Sequence, residues 1–343
     1  MKKWTLAITF LIIATLLLAA CGSGEQATQE ASTNGDDYEK ATIRLAYNLP
    51  QDHHISVGVE KFAKDVTEKS GGAVDVQVFP AGQLLSDKDM NQSVLTGGVE
   101  IGVNSSTLWS STVPSMGIFD VPYIFNDYEE AGEALSGEFG DKLRTEMEGK
   151  GAKVLMFADY GFAQFANNKR PLESPSDFEG LKIRSIGDIP SEMIKAYGAS
   201  PVFMGGGEVY MALQRNTVDG ATSGTTAMVQ RKYDEVTEYL TINNYAYLEF
   251  IMAINQAYWD KLPEKTQTLL TETAAETEEW IRSQAQAEDE KTAKQLEEKG
   301  MEVYVVPEED LPEWKEAAKP AWDAFSENAG PLGNELLEMV DGQ

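Results

Sequence analysis

From Thr42 onward, short β-type runs alternate with amphipathic helical stretches, and few patterns restrict a fold more tightly. Thr42–Tyr47 (TIRLAY) alternates apolar and polar residues and ends at Asn48-Leu49-Pro50, the signature of a strand entering a loop. Ile55, Val59, Phe62, Ala63 and Val66 then recur at helical spacing, until Gly71-Gly72 stops the run. Val74–Phe79 (VDVQVF) predicts a second strand, Asp87–Leu95 a helix and Val99–Val103 a third strand. This βαβαβ order predicts a mostly parallel sheet with helices on both faces.

A second set of elements begins near Lys153–Asp159 and continues through Leu181–Arg184 and Pro201–Met204. A helix around Glu208–Arg215, a strand at Val218–Ala221 and a further strand at Glu249–Ile254 follow, the last leading back towards the first set. Leu262-Pro263 then opens a polar-rich stretch, Glu264 to Lys299, closed by Gly300. As a helix it would be about 54 Å long, more than one lobe is wide. Its apolar positions keep no strict heptad, which argues against a coiled coil. Two α/β lobes joined by crossing strands bring the carboxyl ends of their strands to a shared cleft, where open α/β sheets bind ligands.

The N-terminus sets the compartment. Lys2 and Lys3 precede an apolar run from Leu6 to Ala20, short for a membrane span and typical of a signal peptide. Leu18-Ala19-Ala20-Cys21 then matches a bacterial lipobox, and Cys21 is the only cysteine in 343 residues. A secreted chain with one cysteine forms no internal disulfide, and acylation of the thiol accounts for it. The expected organisation is a signal peptide over 1–20, then lipidated Cys21 with a flexible tether over 21–41. A first lobe would follow from 42–160 plus about 249–289, and a second from 161–248 plus about 290–343. The net charge of −28 becomes −30 once Lys2 and Lys3 are cleaved off. A surface this acidic argues against nucleic acid and against adhesion to anionic lipid.

Catalytic patterns are scarce. The two histidines, His53 and His54, are adjacent, and neither G-x-S-x-G nor H-E-x-x-H occurs. Gly205-Gly206-Gly207 follows an apolar strand but lacks the ending and spacing of a phosphate loop. No cofactor or metal is expected. Carboxylates abound, so a glycosidase-type pair is not excluded by counting.

Several segments carry a resemblance. NKRPLESPSDFEGLKIRSIGDIPSEMIKAYGASPVFM from Asn168, GEVYMALQRNTVDGATSG and RKYDEVTEYLT resemble the DctP-like solute receptors of TRAP transporters. VTEKSGGAVDVQVFPAGQL, GGVEIGV, FDVPYIF and YWDKLPEKTQ are similar to further landmarks of that family, so the likeness covers about residues 42–330. It implies a periplasmic-binding-protein-like α/β fold of two lobes, with hinge strands and a long helix spanning both. It also implies an organic-acid ligand, and a pair of TRAP membrane subunits driven by an ion gradient.

The resemblance places Arg184 at the family's strand arginine. A planar guanidinium donates two parallel hydrogen bonds to a carboxylate and stays charged, as an anion site requires. Many relatives carry a second arginine where this chain has Ala163, and its loss argues for a monocarboxylate over a dicarboxylate or sialic acid. Ser223 stands where the family has a ligand-contacting asparagine, with Thr222 beside it. Gly206 lies in a triplet that replaces a bulky side chain, which would enlarge the pocket. Asn48 and Ser105 are candidates at strand ends, and Phe162 and Tyr210 are weaker ones. His54 is either a ligand contact or a solvated loop residue, and Trp109 either a pocket wall or core.

The function expected is an extracytoplasmic, lipid-anchored solute receptor. A receptor presenting its ligand to a signalling system, or an extracellular hydrolase, are the alternatives.

Overall fold

A computed structural model describes residues 38–340; the expected signal peptide, Cys21 and most of the expected tether lie outside the described residues. Strand β1 (Ala41–Tyr47) pairs in parallel with β2 (Val74–Phe79) on one side and β3 (Ile101–Ser105) on the other. The helix His54–Lys69 makes the first crossover. His53 caps it, its Nδ1 accepting from the Ile55 backbone N–H at 3.3 Å, and the buried face is the one its spacing predicts. Asp87–Thr96 makes the second crossover, with two acidic residues in its first turn, where the helix dipole favours them.

The centre of the sheet departs from the expected parallel order. Strands β4 (Ala152–Asn167) and β8 (Tyr239–Asn255) are 16 and 17 residues long and pair antiparallel along almost their whole length. β3 pairs antiparallel with one end of β8, and β9 (Glu302–Val305) pairs in parallel with its other end. Beyond β4 lie β7 (Gly220–Ser223), β5 (Lys182–Ser185) and β6 (Ser200–Phe203). The result is one nine-stranded sheet in the order β2-β1-β3-β8-β4-β7-β5-β6, with β9 beside β8. β4 and β8 run through both lobes. Their register slips at Val154/Met156, Asp159/Gly161 and Ala163/Phe165, so the ladder bends where the lobes meet.

The long helix, Glu264–Glu298, lies against β4 and touches elements of both lobes. Its mostly polar sequence buries one stripe, including Leu269, Leu270, Ile281 and Leu296, against the body of the protein and not against a second coil. Each such side chain contributes ~1.5–3 kcal/mol by leaving water. The chain end differs from the lobe boundary expected at residue 290. Phe325, Leu336 and Val340 carry the apolar stripes of their helices and bury with Phe119, Phe139 and Leu143 of the first lobe, whereas Trp314, Ala318 and Ala321 bury with Phe178 and Tyr197 of the second. Among the described residues no helix is long and apolar enough to cross a membrane.

Candidate ligand-binding cleft

A cavity of about 70 Å³ lies between the lobes, at the carboxyl ends of the short strands. Asn48 at the end of β1, Asp87 and Lys88 at the start of their helix, and Ser105 at the end of β3 line it from the first lobe. From the second lobe come Arg184 on β5, Phe203 to Gly206 at the end of β6, and Ser223 on β7. Tyr160, Leu248 and Phe250 of the hinge strands form its base. Lys88 Nζ reaches Glu208 across the mouth at 3.4 Å, so the two walls meet.

Arg184 is the buried cation of this space, 6% exposed. Its Nε donates to the Met204 carbonyl at 3.1 Å and its Nη1 to the Thr222 carbonyl at 2.6 Å. These neutral acceptors fix the plane of the guanidinium, and among the described residues no carboxylate pairs with it. Burial pulls its pKa down from the ordinary arginine value. A buried charge held only by carbonyls is costly, and an arriving anion offsets that cost.

Beside it, the Tyr160 hydroxyl and Ser223 Oγ lie 3.1 Å apart. The Tyr160 ring stacks on His53 at 5.0 Å on one side and on Phe250 at 5.2 Å on the other, a rigid aromatic wall. Burial lowers the pKa of both His53 and His54, so neither offers a positive charge at neutral pH. His54 Nε2 donates to the Asp159 carbonyl at 2.8 Å and lies outside the cavity.

Arg184, Ser223, Asn48, Ser105 and Gly206 are thus brought together around one space. The other candidates are elsewhere. The Thr222 hydroxyl bonds Tyr245 at 2.7 Å, and only its carbonyl faces Arg184. Trp109 is fully buried in the first-lobe core. Phe162 packs edge-on to Tyr128 and Tyr247 on the far side of the hinge, where Asp289 accepts from its N–H at 3.1 Å. The Tyr210 hydroxyl donates to Glu235 at 2.8 Å on the surface. Ala163 is buried in the hinge and does not face the cavity. The expected enlargement at Gly206 does not occur, because the Arg231 guanidinium fills the vacated volume. Arg231, Tyr160, Asp87 and Lys88 belong to no motif: Tyr160 reaches the cavity from β4, Asp87 and Lys88 from the start of their helix and Arg231 from the end of the helix Thr225–Gln230.

A hinged pair of α/β lobes with an arginine in the intervening cleft defines a solute-binding protein of the two-lobed class. Residues 45–328 match the family model of bacterial extracellular solute-binding proteins, family 7 (DctP), and the chain belongs to that family. It is 33% identical over 296 residues to the C4-dicarboxylate-binding periplasmic protein DctP of Rhodobacter capsulatus, covering 85% of this chain and 88% of that one. Two solved relatives have the same fold. One, from Sulfurospirillum deleyianum with bound succinate, superposes with a TM-score of 0.83 at 29% identity, covering 88% of this chain and 99% of that one. The other, the sugar acid binding protein of Advenella mimigardefordensis in complex with galactonate, gives 0.85 at 26%, covering 89% and 99%.

Proposed function

We propose that this protein captures a small organic acid outside the cell and hands it to TRAP membrane subunits, while lipid on Cys21 holds it at the membrane. The observation that carries this reading is Arg184: buried, oriented by two carbonyls, and without a carboxylate partner. Succinate and galactonate, bound in the two solved relatives, are both carboxylates and support it. The ligand carboxylate settles on Arg184 with Ser223 beside it, and the lobes close by bending β4 and β8. Contacts made only in the closed form shift the population towards it.

The narrower expectation of a monocarboxylate rested first on a single cation in the cleft, together with added space and nearby aromatic residues. Arg231 removes that premise, since a second guanidinium lines the same cavity. The receptor reading itself needs only that a carboxylate enters.

A thermal-shift screen of the soluble body against carboxylates, amino acids and neutral sugars tests it. Ligand at 100 times its Kd adds about 2.7 kcal/mol of stability, an easily visible shift. Shifts with acids that vanish in Arg184→Ala support the assignment. Shifts with neutral sugars alone, or with nothing, overturn it.

A further inference from the structure

The cavity lies between two lobes that meet at its rim, so those contacts part whenever a solute enters or leaves. On one side the partition is thin. Thr107, Leu108 and Ile186 line both the cavity and a surface groove that continues outward past Gly187 and Asp188. Thr107 belongs to the short helix Ser106–Trp109 after β3 of the first lobe, and Gly187 to the turn after β5 of the second.

Gly187 has no backbone reason to be glycine. Its φ is −176° and its ψ −171°, an extended conformation open to any residue, and it precedes the helix Asp188–Ala196. Its carbonyl accepts from the Ser185 hydroxyl at 2.8 Å and from the Ser191 hydroxyl at 2.6 Å, which fixes the turn in place. What excludes a side chain is the other lobe. An ideal Cβ on Gly187 would overlap the Thr107 methyl, Cγ2, and the next atom it meets is Thr107 Cβ at 3.8 Å, an ordinary contact. One methyl group therefore decides the fit.

Nor can that methyl turn aside. Thr107 is β-branched, and its hydroxyl donates at 2.6 Å to Oδ1 of Asp120, which is itself buried. Rotating the methyl away from Gly187 would break this bond and strand the carboxyl group. The other contacts across the rim are softer. Asp87 sits over Gly205 and Lys88 pairs with Glu208 at 3.4 Å, both through the movable ends of their side chains. An exposed ion pair of this kind adds little and parts easily.

We propose that Thr107 and Gly187 form a gate: the methyl of one lobe seats on the bare backbone of the other, seals the cavity, and sets how fast a bound solute leaves. This rests on the receptor reading above, but it concerns closure and not the identity of the solute. Gly187 does not line the cavity, so it is a positioning residue that acts through Thr107.

Gly187→Ala puts a second methyl where one already sits, and the lobes then stop short of full closure. The probe is succinate or galactonate, whichever the wild-type protein holds tighter, or failing both the tightest acid of the thermal-shift screen. Gly187→Ala should weaken it about tenfold or more, because apparent affinity scales with the population able to close. The loss should fall on the dissociation rate, with the association rate changed by less than about twofold. The urea midpoint without acid should equal that of wild type, since the clash exists only in the closed form.

Thr107→Ser removes the methyl and keeps the hydroxyl on Asp120. Alone it should weaken binding about fourfold, the contribution of one buried methyl. Combined with Gly187→Ala it restores one methyl to the contact from the opposite side, and affinity should return to within about threefold of wild type.

Unchanged dissociation in Gly187→Ala overturns the proposal and leaves the receptor reading standing. So does a Gly187→Ala defect that Thr107→Ser fails to relieve, or one that comes with a lower midpoint in the absence of acid. Either would make the glycine a requirement of its own lobe. If no acid binds the wild-type protein, the receptor reading falls and the gate with it.

Discussion

Asp159 on β4 and Glu249 on β8 stand directly opposite each other at the hinge, and both are fully buried. Arg282 of the long helix lies 3.3 Å from Asp159 and 3.2 Å from Glu278, while Arg144 reaches Glu278 at 3.2 Å and the Tyr247 hydroxyl donates to Asp159. Glu249 has the poorest company, since its Oε1 meets no donor. Burial, followed by the charge of Asp159, pushes its carboxyl well above the usual range, and burial raises Asp159 as well. The hinge therefore holds a carboxyl that prefers its neutral form.

Glu249→Gln copies that neutral form, and its effect should depend on pH. A carboxyl whose folded value exceeds its unfolded value contributes stability that is present below the unfolded value, ~4.3, and is lost as pH rises through the folded value. The variant escapes that loss. Its advantage over wild type should grow by up to ~1.4 kcal/mol per pH unit between the unfolded value and the folded one. Urea unfolding at pH 4.5, 6 and 8 reads this directly, and a constant difference at all three would show that Glu249 is ionised in the fold.

Gly161 should not tolerate a side chain. Its φ is +103°, and a Cβ there would lie 2.3 Å from Asp289 Oδ2. That carboxylate accepts from the Tyr128 hydroxyl at 2.6 Å and the Phe162 N–H at 3.1 Å, and Thr225 Oγ1 donates to Oδ1 at 3.3 Å. Gly161→Ala should cost ~1–2 kcal/mol from the backbone alone, with more from the displaced carboxylate. A denaturation midpoint equal to wild type would contradict the account.

Arg184→Ala should lose ~2–5 kcal/mol of binding to the best acid found, as expected when one partner of a buried charge pair is removed. Arg184→Lys should recover little of it. An ammonium cannot reproduce a planar fork already aligned by Met204 and Thr222. Full affinity in the alanine variant, measured by calorimetry, would make the arginine structural.

Cys21→Ser should move the protein from the membrane fraction to the soluble fraction without changing ligand affinity. The acyl chains, at ~0.8 kcal/mol per buried CH₂, are the proposed attachment. Retention of the serine variant in washed membranes would show that something else holds it.

Much of this was readable from residues alone. The first-lobe strands and the helix from Glu264 fall where alternation, helical spacing and the Pro and Gly boundaries put them. β4 and β8 were seen only in part, as Lys153–Asp159 and Glu249–Ile254. Their remaining halves, through Phe162 and Tyr245, are buried on both faces and interrupted by register slips, so no period of two survives. For the cleft, strand-end positions such as Arg184, Ser223, Asn48 and Ser105 were accessible, because strand ends face it by construction. Thr222 failed by one residue of alternation, which turns a side chain to the opposite face. Arg231 ends the helix Thr225–Gln230, and no local pattern tells which way its long side chain turns.

The last helices carry a consequence for how such a chain is made. Leu336 and Val340 share one core with Ala46, Met90, Val113 and Met116, so that core stays unfinished until residues about 290 positions apart have both been synthesised. A nascent chain lacking Leu336 and Val340 leaves the apolar side chains they cover exposed to water.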